Sequence, residues 1–256
     1  MGNVAVAKED GIYYELSGDE ITFPLQFDQG GEDVVGYFVM DAQVGSHEIK
    51  AFLGDLMPKT KSADLADETE MESGDDAGVR AFVTKHFRGI LGIDGEATKE
   101  EMTTWLDVNP QIKTRIYTEG YGNINIATEE GTGKLKLVLG SGEQEIKAKR
   151  LLYVPALEGP AVLNLTFKHR RVTEEERIRH RRAGKQVQKG RRTIVRINWD
   201  TIEQLSDSLI SGLGHFLING EACTEANKNL WLPKLQLSDK LFFVNRMMSK
   251  VAVKNG

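Results

Sequence analysis

Cysteine is nearly missing from this chain: Cys223 is the one thiol in 256 residues. A single cysteine excludes an internal disulfide and any multi-cysteine metal site, and it fits a reducing compartment. Long apolar runs are missing too. No stretch approaches the roughly 20 residues of a membrane-spanning helix, so no membrane partner is expected. The opening residues MGNVAVAKEDG lack a basic stretch followed by an apolar one, which argues against a secretory leader. They also lack the Ser or Thr that a myristoylation signal carries after Gly2.

Catalytic signatures are absent as well. The chain has no GxSxG, HExxH, EF-hand loop, P-loop or GxGxxG, and GTGK at 131–134 lacks the earlier glycine that a phosphate loop needs. His47, His86, His169, His180 and His215 show no metal-ligand spacing; His86 and His215 fall on apolar stripes and read as core-edge residues. Cys223 precedes a helix start, where a thiol pKa can fall, but it has no partner of the kind a nucleophile needs. The expectation is a protein without enzymatic activity, cofactor or metal.

What the chain does have is a sentence written twice. IDGEATKEEMTTWL at 93–106 and INGEACTEANKNLWL at 218–232 match at seven of fourteen positions once Cys223 is set aside as an insertion. Ile93, Gly95 and Trp105 of the first correspond to Ile218, Gly220 and Trp231 of the second. Tryptophan occurs three times in all, so two in register carry weight. The offset is 125 before the insertion and 126 after it. Ser17-Gly18 and Ser141-Gly142, Ile21 and Ile146, and Ile116-Tyr117 and Phe242-Phe243 keep nearly the same spacing. A constant long offset marks duplication rather than a solenoid.

The unit reads as α+β: a small antiparallel strand layer followed by three or four short helices. The expected boundaries are 1–122 for the first repeat, 123–133 for a linker and 134–256 for the second. YYELSGDEITFPLQF and LVLGSGEQEIKAKRLL each read as two strands about a Gly-containing turn. VVGYFVM (34–40) and AVLNLTF (161–167) alternate as half-buried strands do. Thr173 and Glu176 form a capping box, and Asp200 and Glu203 sit in capping-box positions. Val79, Phe82, Val83, His86, Phe87, Ile90 and Leu91 form one apolar helical stripe, as do Ile202, Leu205, Leu209, Leu213, Phe216 and Leu217. Each helix is expected to end at the IDG or ING turn. Thr98 or Thr224 then caps a helix whose Trp, two turns on, closes a small core.

Charge is unevenly placed within a net of −5. The stretch 63–76 carries Asp64, Asp67, Glu68, Glu70, Glu72, Asp75 and Asp76 and no basic residue. From Lys168 to Arg192, eleven Lys or Arg stand against three Glu, a local balance of +8. Its interaction candidates are Arg170, Arg171, Arg177, Arg179, Arg181, Arg182, Lys185, Lys189, Arg191 and Arg192. Three readings compete. The basic run binds phosphate backbones, although it has no aromatic residue for base stacking. Acidic and basic arms pair between copies, giving a homo-oligomer. Or both arms are solvated faces of little energetic consequence.

The order of elements in RRTIVRINWDTIEQLSDSLISGLGHFLINGEACTEANKNLWLP (191–233) resembles the tail assembly chaperones and accessory structural proteins of tailed bacteriophages. The first half matches more weakly, and the duplication departs from the single small domain of that family. The resemblance implies a protein of the host cytoplasm or the virion that binds other phage structural proteins, either the tape measure protein or tail subunits. A permanent connector, tail or baseplate component is the alternative it leaves. A nucleic-acid-binding or regulatory protein acting through 168–192 is the alternative of another class.

Overall fold

The computed structural model describes residues 2–29, 32–45, 47–49, 76–93, 95–122, 144–189 and 192–249; at 76, 184–189, 192–197 and 249 only the backbone is described. The expected linker at 123–133 therefore lies outside the described residues. The fold is mixed α+β with antiparallel sheets.

The first sheet grows from β3 (Glu20–Gln29) and β4 (Glu32–Asp41), paired from Glu20 opposite Asp41 to Gln29 opposite Glu32. Ile21, Phe23 and Leu25 alternate along β3 and, with Phe38 and Met40 of β4, face the core. Helix α1 (Asp76–His86) then buries Val79, Phe82, Val83 and His86 at helical spacing. At Phe87 the structure departs from the expected single helix. Residues Phe87–Leu91 form β5, antiparallel to β4. Phe87 and Gly89 are buried while Arg88 is exposed, a period of two. The free edge of β4 supplies backbone partners that another helical turn would leave unmade.

The second half repeats the order. Hairpin β6 (Gln144–Val154) and β7 (Gly159–His169) is followed by helix α5 (Trp199–Leu209), and then β10 (Ile210–Gly214) pairs antiparallel with β7. Here too the apolar stripe leaves the helix early: Leu213 is in β10, and Phe216 and Leu217 are in β11 (Phe216–Ile218). The cap is Asn198, whose side chain accepts from the Thr201 amide, so Asp200 lies inside the helix and not at its cap. Both three-stranded sheets thus place the second hairpin strand in the centre, with the strand after the helix on its outer edge. Between β7 and α5 stand helix α4 (Glu174–Ala183) and hairpin β8 (Gly184–Lys189) with β9 (Arg192–Ile197).

The corner expected between residues 13 and 27 is not a hairpin. Strand β2 (Gly11–Glu15) pairs antiparallel with β1 (Ala5–Lys8) and parallel with β11, while β3 turns away into its own sheet. Gln43 Nε2 holds the bend by donating to Leu16 O at 2.7 Å and Gly18 O at 2.9 Å. β11 continues through Asn219 and Gly220, both at positive φ, into β12 (Glu221–Ala222). Asn-Gly suits that two-residue turn because both positions must adopt left-handed backbone.

The repeated sentences resolve into strand, turn and helix. Thr98 caps α2 (Lys99–Asp107) with a capping box through Glu101; Thr224 makes the same box with Asn227 ahead of α6 (Lys228–Trp231). Helix α3 (Pro110–Arg115) and a π-type turn at Ile116–Gly122 close the first half, and α7 (Leu237–Ser249) closes the second.

One continuous apolar core runs from Val4 to Met247, with β3 lying against β6. The β1–β2 hairpin joins the sheet of β11, so N-terminal and C-terminal residues share hydrogen bonds. Polar groups are buried at this junction. The Arg150 guanidinium lies 5.3 Å from the Tyr14 ring centroid and donates to Gly120 O at 3.3 Å, and Gln236 Nε2 donates to Ala42 O at 3.0 Å. Burial pushes the Tyr14 hydroxyl up to about 12.

Candidate functional site

Helix α2 stands over β5, and the space between the helix and the β3–β4 hairpin is an open apolar groove of about 690 Å³. Its floor is aromatic. The Trp105 ring stacks on Phe38 with centroids 6.4 Å apart and leans on Phe27 at 6.1 Å; Phe27 and Phe38 are 6.3 Å apart. Gly36 permits this arrangement, because a Cβ there would come within 2.8 Å of the Phe38 ring and 3.0 Å of Phe27. Met102 closes one wall, its sulfur accepting from the Ile90 amide at 3.1 Å. Leu91, 39% exposed, and Ile93, 37% exposed, stand at the mouth. Ile93 was expected in the core; the strand ends at Leu91, so it projects at the rim instead.

The rim is acidic. Glu96 and Glu101 line the groove, and among the described residues no lysine or arginine does. Glu32 lies cross-strand from Gln29 on the face of β3 and β4 that also carries Phe27 and Val34. The Thr98 amide and hydroxyl, donating to Glu101, hold its carboxyl below the usual range, so it stays charged.

The matching place in the second half is sealed. Trp231 is 0% exposed and its indole Nε1 donates to Thr224 O at 2.7 Å, while Trp105 is only half-buried. Ile218 is buried; Gly95 and Gly220 are exposed turn residues at φ +84° and +82°.

The basic segment is partly neutralised by its own glutamates. Arg170 forms a two-pronged contact with Glu176 at 2.5 and 3.2 Å, and Arg177 and Arg181 both face Glu174 at 3.8 and 2.9 Å. Glu176 also reaches back to the Thr173 amide at 2.9 Å, completing the expected capping box. Arg179 reaches Gln204 at 3.3 Å; Arg171 and Arg182 are exposed. Lys185, Lys189 and Arg192 are placed by backbone alone in β8 and β9, and Arg191 lies outside the described residues. So do Asp64, Asp67, Glu68, Glu70, Glu72 and Asp75 of the acidic segment, while Asp76 opens α1.

Other polar concentrations are structural in their contacts. His86 is clamped between Asp41 Oδ2 at 3.1 Å and Glu48 Oε1 at 2.9 Å, and Arg88 grips Asp41 from the other side at 2.5 Å. A hollow of about 600 Å³ between Ala42–Gly45 and Leu232–Lys240 has Lys240 at its wall, paired to Glu203 at 3.2 Å and Asp207 at 2.8 Å. Burial pushes the Cys223 thiol up to about 12, opposite to the effect of a nearby helix N-terminus. Among the described residues no group of three or more His, Cys, Asp or Glu is placed to hold a metal ion, and no helix is long and apolar enough to cross a membrane.

The sequence pattern singled out Trp105 and Ile93 but not Phe27, Phe38, Met102 or Glu96. The available signal was the Val34-Val35-Gly36 stretch, where a glycine among apolar strand residues marks a close approach. The chain matches no family model, no curated protein and no solved structure.

Proposed function

We propose that this chain is a non-enzymatic bacteriophage protein of tail or virion assembly that grips the apolar face of a long helical structural partner, such as a tape measure protein. The observation that carries this reading is the open aromatic groove beside half-buried Trp105, at a place where the second half has sealed its own tryptophan. Open concave apolar surface on that scale favours a binding role. A groove flanked by a helix and a sheet suits a partner helix laid along it. The resemblance to tail assembly chaperones points the same way.

The two halves are, in this proposal, copies of one ancestral unit. Supporting it are the shared order of hairpin, helix and third strand, the paired positive-φ glycines Gly95 and Gly220, and a Trp seven residues after each capping Thr. The copies have since diverged. The first half offers the groove, the second the basic helix α4, so binding through two equivalent surfaces is replaced by two different ones.

The test is co-expression with the tape measure protein and tail subunits of the same phage. Co-purification with the long helical partner, and absence from finished particles, is the expected result. Stoichiometric presence of this chain in purified virions would overturn the chaperone reading in favour of a permanent component. A second reading, nucleic-acid binding through 168–192, rests on the exposed arginines of α4. It requires an affinity that falls steeply with salt and is lost on charge reversal at Arg179, Arg181 and Arg182.

A further inference from the structure

We infer that the Trp105 groove selects, among apolar helices, one whose apolar stripe is flanked by lysine or arginine. The inference rests on the groove being a docking site and adds the chemistry of its occupant. The floor, built by Phe27, Phe38, Met102 and Trp105, is uncharged and continuous with the core, so it takes apolar side chains of any partner alike. Discrimination has to come from the rim. Glu96 and Glu101 line the groove and Glu32 stands at the hairpin end of the same face. Asp33, one rung further in on the opposite face, adds to the negative charge at that end. The nearby cation Arg115 is turned away, its Nε donating to Glu119 at 2.7 Å and Nη1 to Gln26 O at 2.6 Å. Two carboxylates on the lining and a third at its hairpin end, with no basic residue among the described residues of the lining, repel an acidic flank and attract a basic one. Rim charges of this kind act on encounter rate and partner choice more than on total affinity.

The experiment uses the full chain and two synthetic helical peptides of about 18 residues, roughly five turns each. Both carry the same leucine stripe; one has lysine at the polar positions and the other glutamate. The expected result is that the lysine peptide binds about tenfold more tightly at low ionic strength, with the gap closing in about 0.5 M salt. Ile93→Ser, at an exposed rim position, should weaken both peptides, and the double variant Glu32→Lys, Glu96→Lys should invert the preference. Glu9→Lys, outside the groove, should change neither. Equal affinities, both weakened by Ile93→Ser, would overturn the charge selection and leave the groove as a docking site. Binding of neither peptide would overturn both. A lysine peptide insensitive to Ile93→Ser, or weakened as much by Glu9→Lys as by the rim variant, would reduce the effect to general attraction by an acidic chain. Self-association of the protein abolished by Ile93→Ser would make a second copy the occupant and overturn the inference.

Discussion

Arg150 of β6 and Asp239 of α7 face each other inside the second half, Nη1 to Oδ1 at 3.7 Å, with side chains 3% and 0% exposed. That separation is long for a hydrogen bond, so the pair recovers only part of what it costs to desolvate both charges. Desolvation raises the Asp239 carboxyl, against Arg150 and the Gln236 amide. Its presence still matters, because removing one partner strands the other.

Asp239→Asn and Arg150→Met should therefore each destabilise the protein by about 3–5 kcal/mol. The double variant Arg150→Met, Asp239→Asn should cost clearly less than the sum. Urea unfolding of the four proteins checks this; strict additivity would mean that the two groups do not interact.

The carboxyl of Glu176 shows the opposite shift. Its hydrogen bonds from Arg170 and from Thr173 hold it down at about 2, below the usual 4.5. A depressed carboxyl contributes stability that is fully present above pH 4.5 and is lost as pH falls toward 2. The shift at full weight corresponds to about 3 kcal/mol; Arg170 is 46% exposed, and solvent screening reduces this to about 1–2 kcal/mol. Glu176→Gln should cost that much at pH 7 and almost nothing near pH 2. Asp239 runs the other way. Its raised carboxyl favours the folded state at low pH, and that advantage fades as pH rises from 3.8 through the folded value. Stability measured against pH in wild type and both variants separates the two contributions.

The two tryptophans should behave differently although their sentences match. Trp231→Ala empties a fully buried site and loses the bond to Thr224 O, at a cost of about 3–5 kcal/mol. Trp105→Ala, half-buried, should cost about 1–2 kcal/mol, since less surface returns to water. Thermal unfolding of both variants tests the order; equal losses would contradict an open groove at Trp105.

Cys223 should be inert in the folded protein. A buried thiol pushed to about 12 is almost wholly protonated at pH 8, and only thiolate reacts. Alkylation with iodoacetamide should be slow in buffer and fast in about 8 M urea. Rapid labelling of the native protein would refute the burial.

Local chemistry was readable in the sequence because it joins residues three or four apart. The boxes at Thr98, Thr173 and Thr224, and the Asn219-Gly220 turn, depend on side chains meeting their own nearby backbone. The error at Phe87 has a specific cause. Phe82, Val83, His86, Phe87, Ile90 and Leu91 satisfy a helical spacing, and over five residues a strand period fits Phe87-Arg88-Gly89 equally well. The exposed edge of β4 decides between them, and it lies more than 45 residues back in the chain. The same reason hid the groove: Phe27, Phe38 and Trp105 are brought together by strand pairing and by the seat of α2 on β5.

What the sequence determined by itself is therefore the set of caps, turns and apolar faces, and with them a mixed α+β fold. Only the tertiary structure decided that β2 pairs with β11 and not with β3, that the halves share one core, and that Trp231 is sealed while Trp105 is open. Caps and turns close over a few residues and carry their own hydrogen-bond partners; sheet edges and grooves are completed by atoms from distant chain, so their outcome depends on what packs beside them.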